Sequence, residues 1–148
     1  MGALASIAGG AAGAAALTLL HETVRKYDDE APRMDVIGKR AVKKLYRSAG
    51  LPAPVGEELY YTTLGGDLLA NAAYYSAVGA AGKGRSWALG TALGLMAGLG
   101  AVFLPERLGL GKPVREHNRS TQLKTVAWYL AGGIVAAAVF EALSSDKE

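Results

Sequence analysis

The chain has 148 residues, 51% of them hydrophobic and 20% charged, with a formal net charge of +3, which is enough for one compact domain. Cysteine is absent, so disulfides, thiolate chemistry and cysteine-ligated metals are excluded. The basic residues stand beside apolar blocks rather than in one patch, which argues for orientation in a membrane and against a nucleic-acid partner.

Charge is missing altogether from Met1 to Leu20, from Trp87 to Pro105 and from Val126 to Phe140. Runs of that length are the mark of membrane spans. The expected fold is all-α: a polytopic membrane protein whose four transmembrane helices form a compact bundle with a cytoplasmic interfacial helix. It makes a single membrane domain over 1–148, with spans at about 3–22, 57–81, 87–105 and 123–143 and the interfacial helix at about 33–49.

The first span is rich in small residues, and Gly9 and Gly13 stand one turn apart on a ridge that lets a neighbouring backbone approach closely. A secretory signal peptide would need a basic segment before this stretch, whereas the charges come after it. His21, Glu22 and Arg25 close the span as an interfacial charge cluster. Within the loop that follows, Met34, Ile37, Ala41 and Leu45 share one helix face, while Lys39, Arg40, Lys43, Lys44 and Arg47 suit contact with anionic lipid. Leu51-Pro52-Ala53-Pro54 ends that helix.

Glu57 and Glu58 open the second span, where a helix N-terminus favours acidic side chains. Thr63, Asp67, Asn71 and Tyr74 recur at spacings of four, four and three, so they form one polar stripe across it. An ionised carboxylate in a membrane is costly and must face protein or water, and no Lys or Arg stands at the depth of Asp67 in any span. A tight hairpin with Lys83 and Arg85 leads into the third span, which repeats the small-residue ridge as Gly90, Gly94 and Gly98 and is expected to stop at Pro105. The last span carries Trp128 and Tyr129 toward one end and Glu141 toward the other, followed by a polar tail from Ser144 to Glu148. The likeness of the first and third spans suggests two helical hairpins related by an axis along the membrane normal.

Counting charges orients the chain. The loops after the first and third spans hold thirteen of the sixteen Lys and Arg residues, leaving Lys83, Arg85 and Lys147 on the other side. The positive-inside rule then places both long loops in the cytoplasm and both termini outside.

Leu104-Pro105, the segment Leu108-Gly109-Leu110-Gly111-Lys112-Pro113 and the opening Thr125-Val126-Ala127-Trp128-Tyr129-Leu130 together resemble uncharacterised small four-span proteins of the bacterial inner membrane, over about the last third of the chain. The resemblance implies a bacterial inner-membrane address and no activity or functional residue. No nucleophile stands beside a usable base, and the two histidines are too few for a metal site, so the expectation is a protein with no catalytic residue, metal or cofactor. The expected role is that of a non-enzymatic membrane protein that forms a homo-oligomer or joins other membrane subunits through surplus small-residue ridges. The alternative is a channel or carrier for protons, cations or a small solute along the stripe around Asp67.

Overall fold

The computed structural model describes residues 2–144, apart from the side chains of residues 114 and 115; the tail beyond Ser144, with Lys147, lies outside the described residues. Five helices follow in order: α1 (Gly2–Val24), α2 (Met34–Ser48), α3 (Gly56–Ser76), α4 (Ser86–Arg107) and α5 (Arg119–Leu143). Short 3-10 turns at Ala77–Ala81 and Val114–His117 sit in two of the connections. No strand occurs among the described residues.

Three of the helices, α1, α4 and α5, are long and apolar enough to cross a membrane. A helix, α2, Met34–Ser48, occupies the stretch 33–49 where an interfacial helix is expected. Pro105 does not stop α4 as expected. It sits in the last turn, which runs on to Arg107 although proline forfeits the bond to the carbonyl four residues earlier. Leu108 and Leu110 then close the end by donating to Leu104 O and Pro105 O.

Helix α5 lies between α1 and α4 and runs antiparallel to both. Along α1, Gly9 faces Ala136, Gly13 faces Gly132, and His21 stacks near Trp128 and Tyr129. Along α4, Gly90 faces Gly133, Gly94 faces Leu130 and Gly98 faces Val126. The adjacent pair Gly132-Gly133 thus opens two faces of α5 about a hundred degrees apart, one to each neighbour. A Cβ on Gly13 would stand 2.5 Å from Gly132 O, and one on Gly94 would stand 2.7 Å from Leu130 Cα, so backbone meets backbone with no room for a methyl group. Contacts this close gather many dispersion interactions where no hydrophobic drive operates between helices.

All five ridge glycines read from the sequence are therefore spent inside the bundle, as are Gly10, Gly132 and Gly133. Small residues also remain exposed on both helices, Ala11 and Ala15 on α1 and Ala88 and Ala92 on α4.

Helix α3 runs antiparallel along α1. Tyr60 meets Glu22 at one end, Gly10 packs on Ala72 and Ser76, and Gly79 packs on Ser6 at the other end. Two of its four tyrosines tie it to α4 and α5. The Tyr74 hydroxyl donates to Leu93 O at 2.9 Å, and the fully buried Tyr75 donates to Tyr129 O at 2.7 Å. A two-hairpin repeat would make α3·α4 equivalent to α1·α5, but α1 packs on α5 along its length whereas α3 and α4 barely touch. Two regions follow: a loop end, carrying α2 and the connections beside it, and a hairpin end at residues 77–85.

Gly94→Ala is expected to destabilise the bundle by about 1–3 kcal/mol through overpacking. Gly66, with nothing within 4 Å of a new Cβ, should tolerate the same change or gain slightly from helix propensity. Thermal unfolding of the two variants in one mild detergent checks the pair, and equal behaviour would contradict the packing described.

Candidate functional site

At the loop end, α1 and α3 each turn a stripe of the same spacing toward one cavity. Thr18, His21 and Glu22 come from α1 and Arg25 from the turn just past its end, and Tyr60, Thr63, Leu64 and Asp67 come from α3. Positions i, i+3, i+4 and i+7 lie on one helix face, so each stripe is continuous. Pro32 and, from α2, Met34, Asp35, Gly38 and Lys39 roof the cavity, which holds about 520 Å³ including its open mouth.

The mouth is ionic and satisfied. Arg25 pairs with Glu22 at 2.7 Å and with Asp35 at 3.4 Å. Asp35 also meets Arg33 at 2.9 Å and Lys39 at 3.8 Å, and the Tyr60 hydroxyl donates to Glu22 at 3.1 Å. Burial opposes ionisation of Asp35, but the Arg33 hydrogen bond and the charges of Arg33, Arg25 and Lys39 hold its carboxyl below the ordinary range.

The floor is polar and unsatisfied. His21, only 9% exposed, stacks 5.1 Å from the Trp128 ring and 5.8 Å from that of Tyr129. Its Nε2 and the Oγ1 of Thr18 are buried with no hydrogen-bond partner. Buried polar atoms without partners are uncommon, because each carries a desolvation cost of about 1–3 kcal/mol. Asp67 accepts one side-chain hydrogen bond at 3.0 Å, from Asn71 Nδ2, and has no cationic partner among the described residues. The lining therefore sets three carboxylates, Glu22, Asp35 and Asp67, against the two cations Arg25 and Lys39, and both cations are engaged at the mouth.

The stripe read from the sequence is divided. Thr63 and Asp67 line the cavity, Asn71 braces Asp67 from the next turn, and Tyr74 points elsewhere to bind α4. Beyond Asp67 the interior is filled by the fully buried Leu17 and Tyr75, so the polar lining stops there. The cluster His21, Glu22 and Arg25, treated separately in the sequence, opens into the same cavity. Thr18, Asp35 and Tyr60 were not singled out, although the shared spacing of 18–25 and 60–67 is a signal that could have found them.

The basic residues of α2 also divide. Lys39 turns to the cavity with its ammonium 5.7 Å from the Tyr60 ring centre, while Arg40, Lys43, Lys44 and Arg47 line a separate cleft beside Gly109 and Leu110. Among the described residues no three His, Asp or Glu side chains converge as metal ligands would.

The roof is fastened to the start of α5. Lys124 donates to Asp28 at 2.6 Å, Ser120 donates to Glu30 at 2.8 Å, and Thr121 donates to Glu30 O at 2.9 Å. The buried Glu116 accepts from Arg33 N at 2.6 Å, and burial pushes its carboxyl above the ordinary range.

No family model, curated protein or solved structure matches the chain.

The fastening carries a pH dependence. The Lys124 hydrogen bond, then the Glu30 N–H, hold Asp28 below its ordinary 3.8, and the Ser120 hydroxyl, then the Lys124 charge, hold Glu30 below its ordinary 4.5. Depressed carboxyls contribute stability that is complete above those ordinary values and lost as pH falls through the lower folded ones. Amide exchange of residues 28–33, corrected for intrinsic rates, should rise on acidification below about pH 4. Lys124→Met should raise it at neutral pH and flatten the acid response; an acid response equal to the parent's would count against the latch.

Proposed function

We propose that the protein is a four-span membrane protein without enzymatic activity, and that its cavity admits a small monovalent cation bearing N–H donors, or a proton in its place, from the cytoplasmic side. The observation that carries this reading is the pairing of an uncompensated carboxylate, Asp67, with the unpartnered His21 Nε2 and Thr18 Oγ1 in one cavity. A cation there would neutralise Asp67, while its N–H groups would donate to the imidazole nitrogen and the threonine oxygen. The pairing of charge with neutral acceptors favours a protonated amine over a bare metal ion.

The fourth span is α3. Its composition is interrupted by Asp67, but it lies beside α1 from Glu22 to Ser6, and a helix of that placement shares the depth of its neighbour. A carboxylate tucked against protein and cavity, rather than lipid, is the arrangement such a span requires. With thirteen of sixteen basic residues at the loop end, that end faces the cytoplasm of a bacterial inner membrane and both termini face outward. The polar lining opens at the loop end alone, so the geometry suits a binding pocket or one half-state of a carrier better than a continuous channel.

A second reading, self-association or joining another membrane subunit, is favoured by the outer face of α3. Gly66, Ala70, Ala73 and Ala77 are exposed there at spacings of four, three and four, and Gly66 has open space around it. Cross-linking from a cysteine placed at Ala70 in a lipid bilayer would separate a dimer through this face from a monomer.

The cation reading is tested on the full chain in liposomes with methylammonium as probe, by equilibrium binding and by uptake. The parent should bind it, and Asp67→Asn should weaken binding by tenfold or more, equivalent to about 1.4 kcal/mol. If the parent binds neither methylammonium nor protons, or the variant behaves like the parent, this reading is wrong.

A further inference from the structure

The second cleft lies outside the Asp67 cavity, and its lining has a single sign. Arg40, Lys43, Lys44 and Arg47 of α2 surround it together with Gly109 and Leu110, over a volume of about 730 Å³ that opens to the surroundings. No carboxylate lines it, and none of the four cations has an acidic partner among the described residues. Like charges gathered this way repel, and an anion relieves the repulsion.

The gathering is built rather than incidental. Arg40 Nη1 donates to Leu110 O at 3.0 Å and Lys44 Nζ donates to Leu108 O, which fastens the basic face of α2 to the turn after α4. That turn takes positive φ at Gly109 (67°) and Gly111 (65°), where a side chain would be strained. A Cβ on Gly109 would also come within 3.2 Å of Lys44 Nζ, so the glycines give both the backbone bend and the space for the cations. Each fastened side chain spends one donor on a carbonyl and keeps others, and Arg47 and Lys43 add theirs from the same helix face.

The surroundings say which anion. Exposed apolar side chains stand on the same elements: Leu45, next to Lys44 on α2, is 68% exposed, and at and just after the end of α4 Phe103, Leu104 and Leu108 are each at least half exposed, the last adjoining Gly109 in the chain. Cations at the end of a lipid-facing apolar surface match a phosphate that carries acyl chains. We infer that this cleft is a discrete binding site for the phosphate headgroup of an anionic phospholipid, whose chains lie along Phe103 and Leu104 of α4. Arginine forks at Arg40 and Arg47 engage the phosphate oxygens, and Lys43 and Lys44 supply point charges. The site rests on the reading of α4 as a membrane span and is independent of what the Asp67 cavity holds.

The test is native mass spectrometry of the full chain from mild detergent, titrated separately with phosphatidylglycerol and phosphatidylcholine. Phosphatidylglycerol should be retained at least tenfold more strongly by the parent. The variant Arg40→Gln/Lys43→Gln/Arg47→Gln should lose that preference, whereas Lys26→Gln/Arg107→Gln/Arg119→Gln, which removes the same charge from exposed positions outside the cleft, should keep it. Equal retention of both lipids by the parent overturns the site whatever the variants do. Equal loss in both variants overturns it in favour of diffuse attraction. Complete displacement by excess inorganic phosphate would show that the acyl chains add nothing and would overturn the lipid as ligand. Failure of methylammonium binding would leave these outcomes unaffected, so the two proposals fail separately.

Discussion

The close approach of α1 and α4 to the Gly132-Gly133 face of α5 is the constraint on which the rest of the molecule depends. Within a bilayer, lipid tails are as apolar as the side chains, so helices associate only where packing is better than lipid can offer. Backbone contact through glycine provides that, and it leaves no tolerance for added volume. Two consecutive glycines serve both neighbours because successive residues point about a hundred degrees apart around a helix. The three helices therefore form a fixed slab, and α3 is the element added to it.

The attachment of α3 changes character along its length. Near the hairpin end it is tight: Gly10 receives Ala72 and Ser76, and the hydroxyls of Tyr74 and Tyr75 reach backbone carbonyls of α4 and α5. The glycine ridge of α1 ends at Gly13, and beyond it come Leu17, Thr18 and His21. Larger and polar side chains then stand between α1 and α3, and a cavity replaces contact. Tight packing and the cavity are thus divided by position along the same pair of helices. Small residues close one half, and polar ones keep the other half open.

The roof over the cavity is held by bonds that reach across the whole bundle. Helix α2 joins α3 through the approach of Gly38 to Thr63, and it joins the turn after α4 through Arg40 and Lys44. The segment before it is stitched to α5 by Lys124, Ser120 and Thr121. Any ligand of the basic cleft therefore acts on the same helix that covers the Asp67 cavity, on its opposite side. That common element gives a physical route by which an occupant of the cleft can influence the cavity, since both sites bear on the position of one amphipathic helix.

The sequence by itself determined the helical class, the three apolar helices and the amphipathic helix at Met34–Ser48, because periodicity and charge distribution are local properties that the neighbours do not alter. It also marked Gly9, Gly13, Gly90, Gly94 and Gly98 as contact positions, since a recurring small residue has one physical use in an apolar helix. What only the tertiary structure decided was which surfaces those ridges meet. Proline at 105 reads as a stop in the sequence and lies inside the last turn in the structure, where the N–H groups of Leu108 and Leu110 close the helix end. The polar stripe was legible on α3 as a spacing, but its division at Asn71 was not, because Tyr74 and Tyr75 find their partners on α4 and α5. Likewise His21 and Asp67 lie forty-six positions apart in the chain, and only the antiparallel packing of α1 on α3 brings an unpaired carboxylate and an unpartnered imidazole into one cavity.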